Sequence, residues 1–347
     1  MRVLFRCDAS DTIGTGHIVR CLALAGGLRS RDTEVFFVCA DLPGNMAPTI
    51  SRHGFNIGLI HPCSAARDDA QATMAAVFGA QPFDWLVVDS YRLDHRFERL
   101  LCQSVRHVLV IDDLHDRRHL CDLLVDTIAT EGAIGRYAGL IQPGTVCLLG
   151  QRYVPLRQTF LGAAPADRDF TRVQRVLVSY GGTDPLDMTS RALSVVADAA
   201  VRHIHFDVVI GRTNPRRRRL KVATKHLPNV RVHIDTPHMP MLMACSDLSL
   251  GAGGTTTWER MFMGLPSIVV ALADNQLEIC ESLSSKGLIR YLGFGTTVTA
   301  ADLHEALLAS MEGHSWRARV SALGRRLVDG RGVERIIDAM KRIEESQ

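Results

Sequence analysis

Two glycine-rich stretches and several polar strand ends carry the residue types and spacings that suggest chemistry. The first stretch runs Asp8-Ala-Ser-Asp-Thr-Ile-Gly14-Thr15-Gly16-His17-Ile-Val-Arg20. Gly14 and Gly16 let the backbone approach a ligand, and a helix is expected to begin near His17, where N-terminal amides attract anions. The same positive helix end disfavours imidazolium, which keeps His17 neutral and suits it to general-base work. Arg20 lies one turn on, placed to hold a phosphate or carboxylate. A tight turn with a capping histidine explains the same spacing without a ligand.

The second stretch, Gly251-Ala-Gly253-Gly254-Thr255-Thr256-Thr-Trp-Glu259-Arg260, again sits between a strand and a helix. Small residues followed by hydroxyls form a plausible pyrophosphate cradle, and Glu259 can accept hydrogen bonds from vicinal sugar hydroxyls. A hydroxyl-capped helix with glutamate in its favourable first turn is the competing reading. The Gly-Lys-Ser/Thr ending of a P-loop is absent, and no dinucleotide fingerprint follows the first strand.

Further polar groups lie at other strand ends: Ser179-Tyr-Gly181-Gly182-Thr183-Asp-Pro185, Ala273-Asp274-Asn275-Gln276, Asp89-Ser-Tyr91 and Asp112-Asp113. Their shared position at the carboxyl ends of parallel strands suits ligand binding. Asp8, Asp89 and Asp113 are all candidates to assist His17. Two other signals carry less. The His115-x-x-x-His119 spacing suits a metal on a helix, but Arg117 and Arg118 repel a cation, so no metal site is assigned. The basic run 216–219 with Lys221 lacks aromatic interleaving and reads as a solvated helix face.

The elements that must position these residues alternate along the chain. Strands are expected at 3–7, 34–39, 56–60, 85–88, 108–111 and 123–125, then at 173–179, 205–210, 230–234, 248–250 and 267–270. Helices are expected at 17–29, 47–52, 70–78 and 96–103, and the chain from 301 onward is helical in pattern. Such alternation predicts an α/β protein of two doubly wound Rossmann-like domains with parallel sheets. The expected boundaries are 1–157, a linker at 158–170, 171–330 and a C-terminal helix at 331–347. An interdomain cleft is the expected ligand site.

Composition agrees with this class. The 347 residues favour two domains, and 46% hydrophobic with 22% charged residues is ordinary for globular proteins. Forty basic against thirty-seven acidic residues leave +3, which argues against a dedicated nucleic-acid binder. Nine scattered cysteines without a Cys-x-x-Cys pair read as reduced, mostly buried thiols. With no apolar run of roughly 20 residues and no signal-peptide pattern, a cytoplasmic protein is expected.

The stretches Gly14-Thr-Gly-His-Ile-Val-Arg20, Val88-Asp-Ser-Tyr-Arg-Leu-Asp94, Val110-Ile-Asp-Asp-Leu114, Tyr180-Gly-Gly-Thr-Asp-Pro185, 251–259 and 273–276 together resemble the PseG family. Its members are UDP-2,4-diacetamido-2,4,6-trideoxy-β-L-altropyranose hydrolases of pseudaminic acid biosynthesis, a route to flagellin glycosylation. The resemblance runs in order over nearly the whole chain and extends to MurG-like glycosyltransferases. It implies the GT-B architecture, often with a C-terminal helix returning to the first domain. It also implies a UDP-linked diacetamido sugar as substrate and no metal; no cofactor is expected, and the lack of a long apolar run leads to no membrane span being expected. By this resemblance His17 is the base that activates water for inverting attack at the anomeric carbon, and Asn275 and Tyr91 lie near the sugar. Gly253, Gly254 and Thr255 match the diphosphate turn, and Glu259 matches the carboxylate that holds the ribose. Arg92 departs from the smaller residue common at its place in relatives. A UDP-sugar glycosyltransferase, with His17 deprotonating an acceptor hydroxyl, and a non-catalytic nucleotide-sugar sensor are the alternatives.

Overall fold

The computed structural model describes residues 1–77, 79, 82–128, 133–163 and 168–346. Two compact units emerge, one of Met1–Gln158 with Gly330–Gln347, the other of Thr159–Asp329.

The first unit contains β1 (Arg2–Cys7), α1 (Gly16–Arg29), β2 (Glu34–Ala40), α2 (Ala47–Arg52), β3 (Asn56–Ile60), α3 (Ala66–Ala76), β4 (Phe83–Asp89), α4 (His95–Leu101), β5 (Val105–Ile111), β6 (Leu123–Asp126) and β7 (Val146–Leu149). Its seven strands are ordered β3-β2-β1-β4-β5-β6-β7 and pair in parallel throughout. Successive strand side chains point to opposite faces, so Val3, Phe5 and Cys7 join one buried cluster while Leu4 joins the other. Both faces are covered, hence the nearly continuous apolar runs. Arg6 is the exception, a fully buried cation one residue before the end of β1.

A short helix, α5 (Gln158–Leu161), leads into the second unit. This unit holds β8 (Arg175–Ser179), α6 (Met188–Val196), β9 (His205–Ile210), α7 (Arg217–Ala223), β10 (Val230–Ile234), α8 (Met239–Cys245), β11 (Leu248–Ala252), α9 (Thr256–Phe262), β12 (Ser267–Ala271), α10 (Leu277–Ser285), β13 (Arg290–Phe294), α11 (Ala300–Glu312) and α12 (His314–Leu327). Its strand order is β10-β9-β8-β11-β12-β13, again parallel. Each sheet reverses its winding direction once, between β1 and β4 and between β8 and β11. Carboxyl ends of strands flanking such a reversal splay apart and leave room for a ligand.

Three expectations need adjustment. The described parts of the expected linker, 158–163 and 168–170, pack against the second unit: Phe160 is fully buried with Leu177, Met243 and Met263, and Arg168 donates to the carbonyls of Met243 and Met263. Positions 164–167 of that segment, and Phe78 at the end of the expected helix 70–78, lie outside the described residues. Strands β7 and β13 were not expected. Cysteine placement is mixed: all nine are free, five are buried, and Cys102 and Cys245 are exposed. No described helix is long and apolar enough to cross a membrane.

The last helix, α13 (Gly332–Glu345), belongs to the first unit. Ile336, Ile337 and Met340 enter the cluster of β1 and α1, and Trp85 Nε1 donates to Glu344 at 2.8 Å. Gly27 permits this contact, since a Cβ there would lie 2.3 Å from Val333. Ile336→Ala is therefore expected to destabilise the first unit by about 2–5 kcal/mol. Chemical denaturation followed by Trp85 fluorescence, with Trp258 and Trp316 of the second unit replaced by Phe, checks it.

Candidate functional site

The register that pairs Cys7 with Asp89 brings the ends of β1 and β4 side by side. Asp89 is fully buried there, and its carboxylate is the centre of a charged network. Arg20 grips it with two bonds, Nε to Oδ2 and Nη2 to Oδ1, both 2.6 Å. The Cys21 thiol adds a contact at 3.4 Å. Arg20 Nη1 donates to Asp113 Oδ2 at 2.8 Å. Burial pushes the Asp89 carboxyl up, but Arg20 and His17 override it and hold it well below the usual carboxylate range.

His17 approaches the same carboxylate through Nδ1, 2.6 Å from Asp89 Oδ1. Because Asp89 is ionised, a contact this short requires the proton on Nδ1, with Asp89 accepting. The basic lone pair is then on Nε2, which has no hydrogen-bond partner among the described residues. His17 lines a cavity of about 820 Å³ with Asp8, Ser10, Tyr91 and Arg92. The Tyr91 ring meets His17 edge-on, centroids 4.5 Å apart. The site thus offers a fixed, buttressed imidazole with one nitrogen open to a cavity.

The loop between β1 and α1 has its own logic. Gly14 adopts φ +83°, and its amide donates to Ser10 at 2.8 Å. The amides of Thr12 and Ile13 donate to Ser10 Oγ. Thr15 precedes α1 without a capping side-chain bond, and Gly16 opens the helix. The capping-histidine alternative is not realised, because the His17 side chain turns to Asp89. The Arg20 guanidinium pairs with Asp89 and Asp113. Among the candidate carboxylates only Asp89 touches His17. Asp113 acts on Arg20, and Asp8 pairs with Arg6 at 2.5 Å.

Residues 112–119 form no helix, so the His115/His119 spacing loses its metal geometry. His119 Nδ1 bonds Glu98 at 2.7 Å, and Asp112 pairs with Arg117 at 2.9 Å. Arg217, Arg218, Arg219 and Lys221 are exposed on α7.

In the second unit, Gly253, Gly254 and Thr255 form the turn between β11 and α9. Two glycines here have packing reasons that owe nothing to a ligand. A Cβ on Gly251 would lie 2.0 Å from Arg260 Nη1, and one on Gly253 would lie 2.2 Å from Cys280 Sγ. Gly254 has ordinary space, its nearest neighbour being Gln276 Nε2 at 3.7 Å. Gln276 Oε1 accepts from the Leu272 amide at 3.0 Å, which anchors the side chain beside the turn. Thr255 makes no capping side-chain bond; Thr256 begins α9, and Glu259 is buried in its first turn.

Gly181, with φ +87°, Gly182 and Thr183 follow β8. Gly182 packs so tightly on Gly211 that a Cβ at Gly211 would lie 2.2 Å from the Gly182 carbonyl oxygen. Asp184 is committed to α6, accepting from the amides of Met188 and Thr189. Asp274 and Asn275 are exposed on a single turn after β12. The structure thus gathers His17 and Tyr91 in one unit, and Gly253, Gly254 and Gln276 in the other.

Sequence reasoning missed Arg6 and Asp69. Arg6 Nε and Nη2 clamp the two oxygens of Asp69, both at 2.8 Å, beneath the cavity wall formed by Asp8 and Arg92. A cation inside an otherwise apolar strand was the available signal.

No known family profile matches the chain. It is 24% identical over 288 residues to the UDP-2,4-diacetamido-2,4,6-trideoxy-beta-L-altropyranose hydrolase of Campylobacter jejuni, covering 83% of this chain and 97% of that protein. It is 25% identical to the spore coat polysaccharide biosynthesis protein SpsG of Bacillus subtilis over the full length of both. Among solved structures, the S. aureus MnaA–UDP complex superposes with TM-score 0.70 at 11% identity, covering 99% of this chain and 97% of that one. MurG of Acinetobacter baumannii superposes with TM-score 0.64 at 14% identity, covering 98% and 99%. The chain has the GT-B fold.

Two outcomes follow from this geometry. The Asp89 carboxyl titrates lower folded than unfolded, so its stabilisation is present above about pH 4 and is lost as pH falls toward the folded value. Asp89→Asn is expected to cost about 3–5 kcal/mol at pH 7, a gap that closes as both proteins are acidified below about pH 4. Denaturant titrations across pH measure it. Gly253→Ala should lose about 1–3 kcal/mol through the clash with Cys280. Adding Cys280→Ala should restore most of that, read as a coupling energy in a double-mutant cycle.

Proposed function

We propose that the protein hydrolyses UDP-2,4-diacetamido-2,4,6-trideoxy-β-L-altropyranose to UDP and 2,4-diacetamido-2,4,6-trideoxy-L-altrose, a step of pseudaminic acid biosynthesis. The observation that carries this reading is His17, held through Nδ1 by buried Asp89 and open at Nε2 to the cavity. Similarity to the Campylobacter hydrolase along most of both chains supports the same choice of chemistry.

In this reading a water molecule donates its proton to His17 Nε2 as its oxygen forms a bond to the anomeric carbon. The bond from that carbon to the diphosphate oxygen breaks, and its electron pair leaves with UDP. Attack opposite the leaving group inverts the anomeric centre. Asp89 fixes the ring and stabilises the imidazolium that forms, as a buried carboxylate does for a catalytic histidine. Tyr91 and Asn275 act at the sugar. Gly253, Gly254, Thr255 and Thr256 take the diphosphate, with Gly181, Gly182, Thr183, Asp274 and Gln276 around it, and Glu259 takes the ribose hydroxyls. Gly14, Thr15 and Gly16 shape the approach to His17. Arg20 serves through Asp89, as a positioning residue. UDP is a good leaving group, so the remaining work is to orient water and accept its proton.

A transferase reading rests on the fold shared with MurG. Incubating the protein with the nucleotide sugar in buffer alone separates the two. Release of UDP and free sugar without acceptor supports hydrolysis, acceptor-dependent release supports transfer, and binding without turnover leaves a sensor. His17→Ala is expected to keep UDP affinity while lowering kcat about 10²–10⁴-fold. Near-normal turnover in that variant contradicts the assignment.

A further inference from the structure

Arg92 is the arginine that lines the cavity, and the mechanism leaves it unused. It follows Tyr91 in the loop after β4 and lines the same cavity as His17. Its Nη2 bonds Asp69, a fully buried carboxylate on α3 that also accepts Arg6 Nε and Nη2 and the Thr73 hydroxyl. The Arg92 amide donates to Ser90 Oγ at 3.2 Å. Held at both ends, its side chain remains 40% exposed. Nε and Nη1 have no partner among the described residues.

The mount is also electrically balanced. Arg6 and Arg92 face Asp69 and Asp8, two positive charges against two negative. A ligand anion finds no surplus positive charge there, whereas a neutral acceptor gains a directed bond from a charged donor. An amide carbonyl is the strongest neutral acceptor that a sugar substituent offers. We infer that Arg92 is a specificity-determining residue that donates to the acyl carbonyl of an acetamido group on the sugar. This rests on the nucleotide-sugar reading of the cavity and adds a residue that selects among such sugars.

The variant Arg92→Ala should fold, because Asp69 keeps both Arg6 bonds and the Thr73 hydroxyl. Three probes test the inference: the UDP-diacetamido sugar and two analogues, each with one acetamido group replaced by hydroxyl. Dissociation constants and kcat/KM are measured for wild type, Arg92→Ala and Arg92→Lys, with melting temperature and UDP affinity as controls. Wild type should prefer the diacetamido sugar over one analogue by about ten- to hundredfold. Arg92→Ala should abolish that preference, chiefly through Kd and KM, and Arg92→Lys should restore part of it.

Equal discrimination in wild type and Arg92→Ala, or no acetamido preference in wild type, overturns the inference. Binding of all three sugars without UDP release defeats the hydrolase reading alone, since the preference is still read from the dissociation constants.

Discussion

The bidentate ion pair between Arg20 and Asp89 is the interaction on which the candidate site depends. Both groups are buried, so each is costly without the other, and two 2.6 Å bonds leave the carboxylate little freedom to turn. Asp113 holds the far side of the guanidinium. What this rigidity supplies is an oxygen at a fixed place for the Nδ1 proton of His17. Replacing such a cluster with apolar residues is often neutral or stabilising, so stability alone is a weak reason for its presence.

The fold prepares that interaction without using loop flexibility. Parallel pairing of β1 with β4 sets Cys7 opposite Asp89, and α1 returns over β1 so that His17 and Arg20, one turn apart, reach the same carboxylate. Under the same edge, Arg6 ties Asp8 to Asp69 and so stiffens the neighbouring wall. Two arginines, Arg6 on β1 and Arg20 on α1, therefore organise four carboxylates, and the cavity opens between ordered walls. The second unit repeats the winding scheme with different contents: its turn after β11 is shaped by close packing, Gly251 on Arg260 and Gly253 on Cys280.

Much of this was legible in the sequence. Strands β3, β9 and β10 fall on the expected residues: β9 is a buried apolar run, whereas β3 and β10 are partly buried edge strands whose short β-branched runs are bounded by turn residues. β7 and β13 are edge strands as well, but β7 is only four residues long and β13 is interrupted by Gly293, so neither leaves a run to read. His17 stood out through its local pattern, while its partner Asp89 lies 72 residues away and was one of three equal candidates. The partners of Arg20 were hidden for the same reason: helical spacing shows which face a cation shares, not which distant carboxylates reach it. That Gly251 and Gly253 also have packing reasons, against Arg260 and Cys280, is known only from the packed structure.

The most direct test of the central claim is the protonation pattern of the His17 ring, read by long-range ¹H–¹⁵N correlation at a pH where the imidazole is neutral. A protonated-type nitrogen at Nδ1 and a lone-pair nitrogen at Nε2, with that pattern lost in Asp89→Asn, is the predicted result. A proton resident on Nε2 would contradict it, because the nitrogen open to the cavity would then have no lone pair with which to take a proton from water.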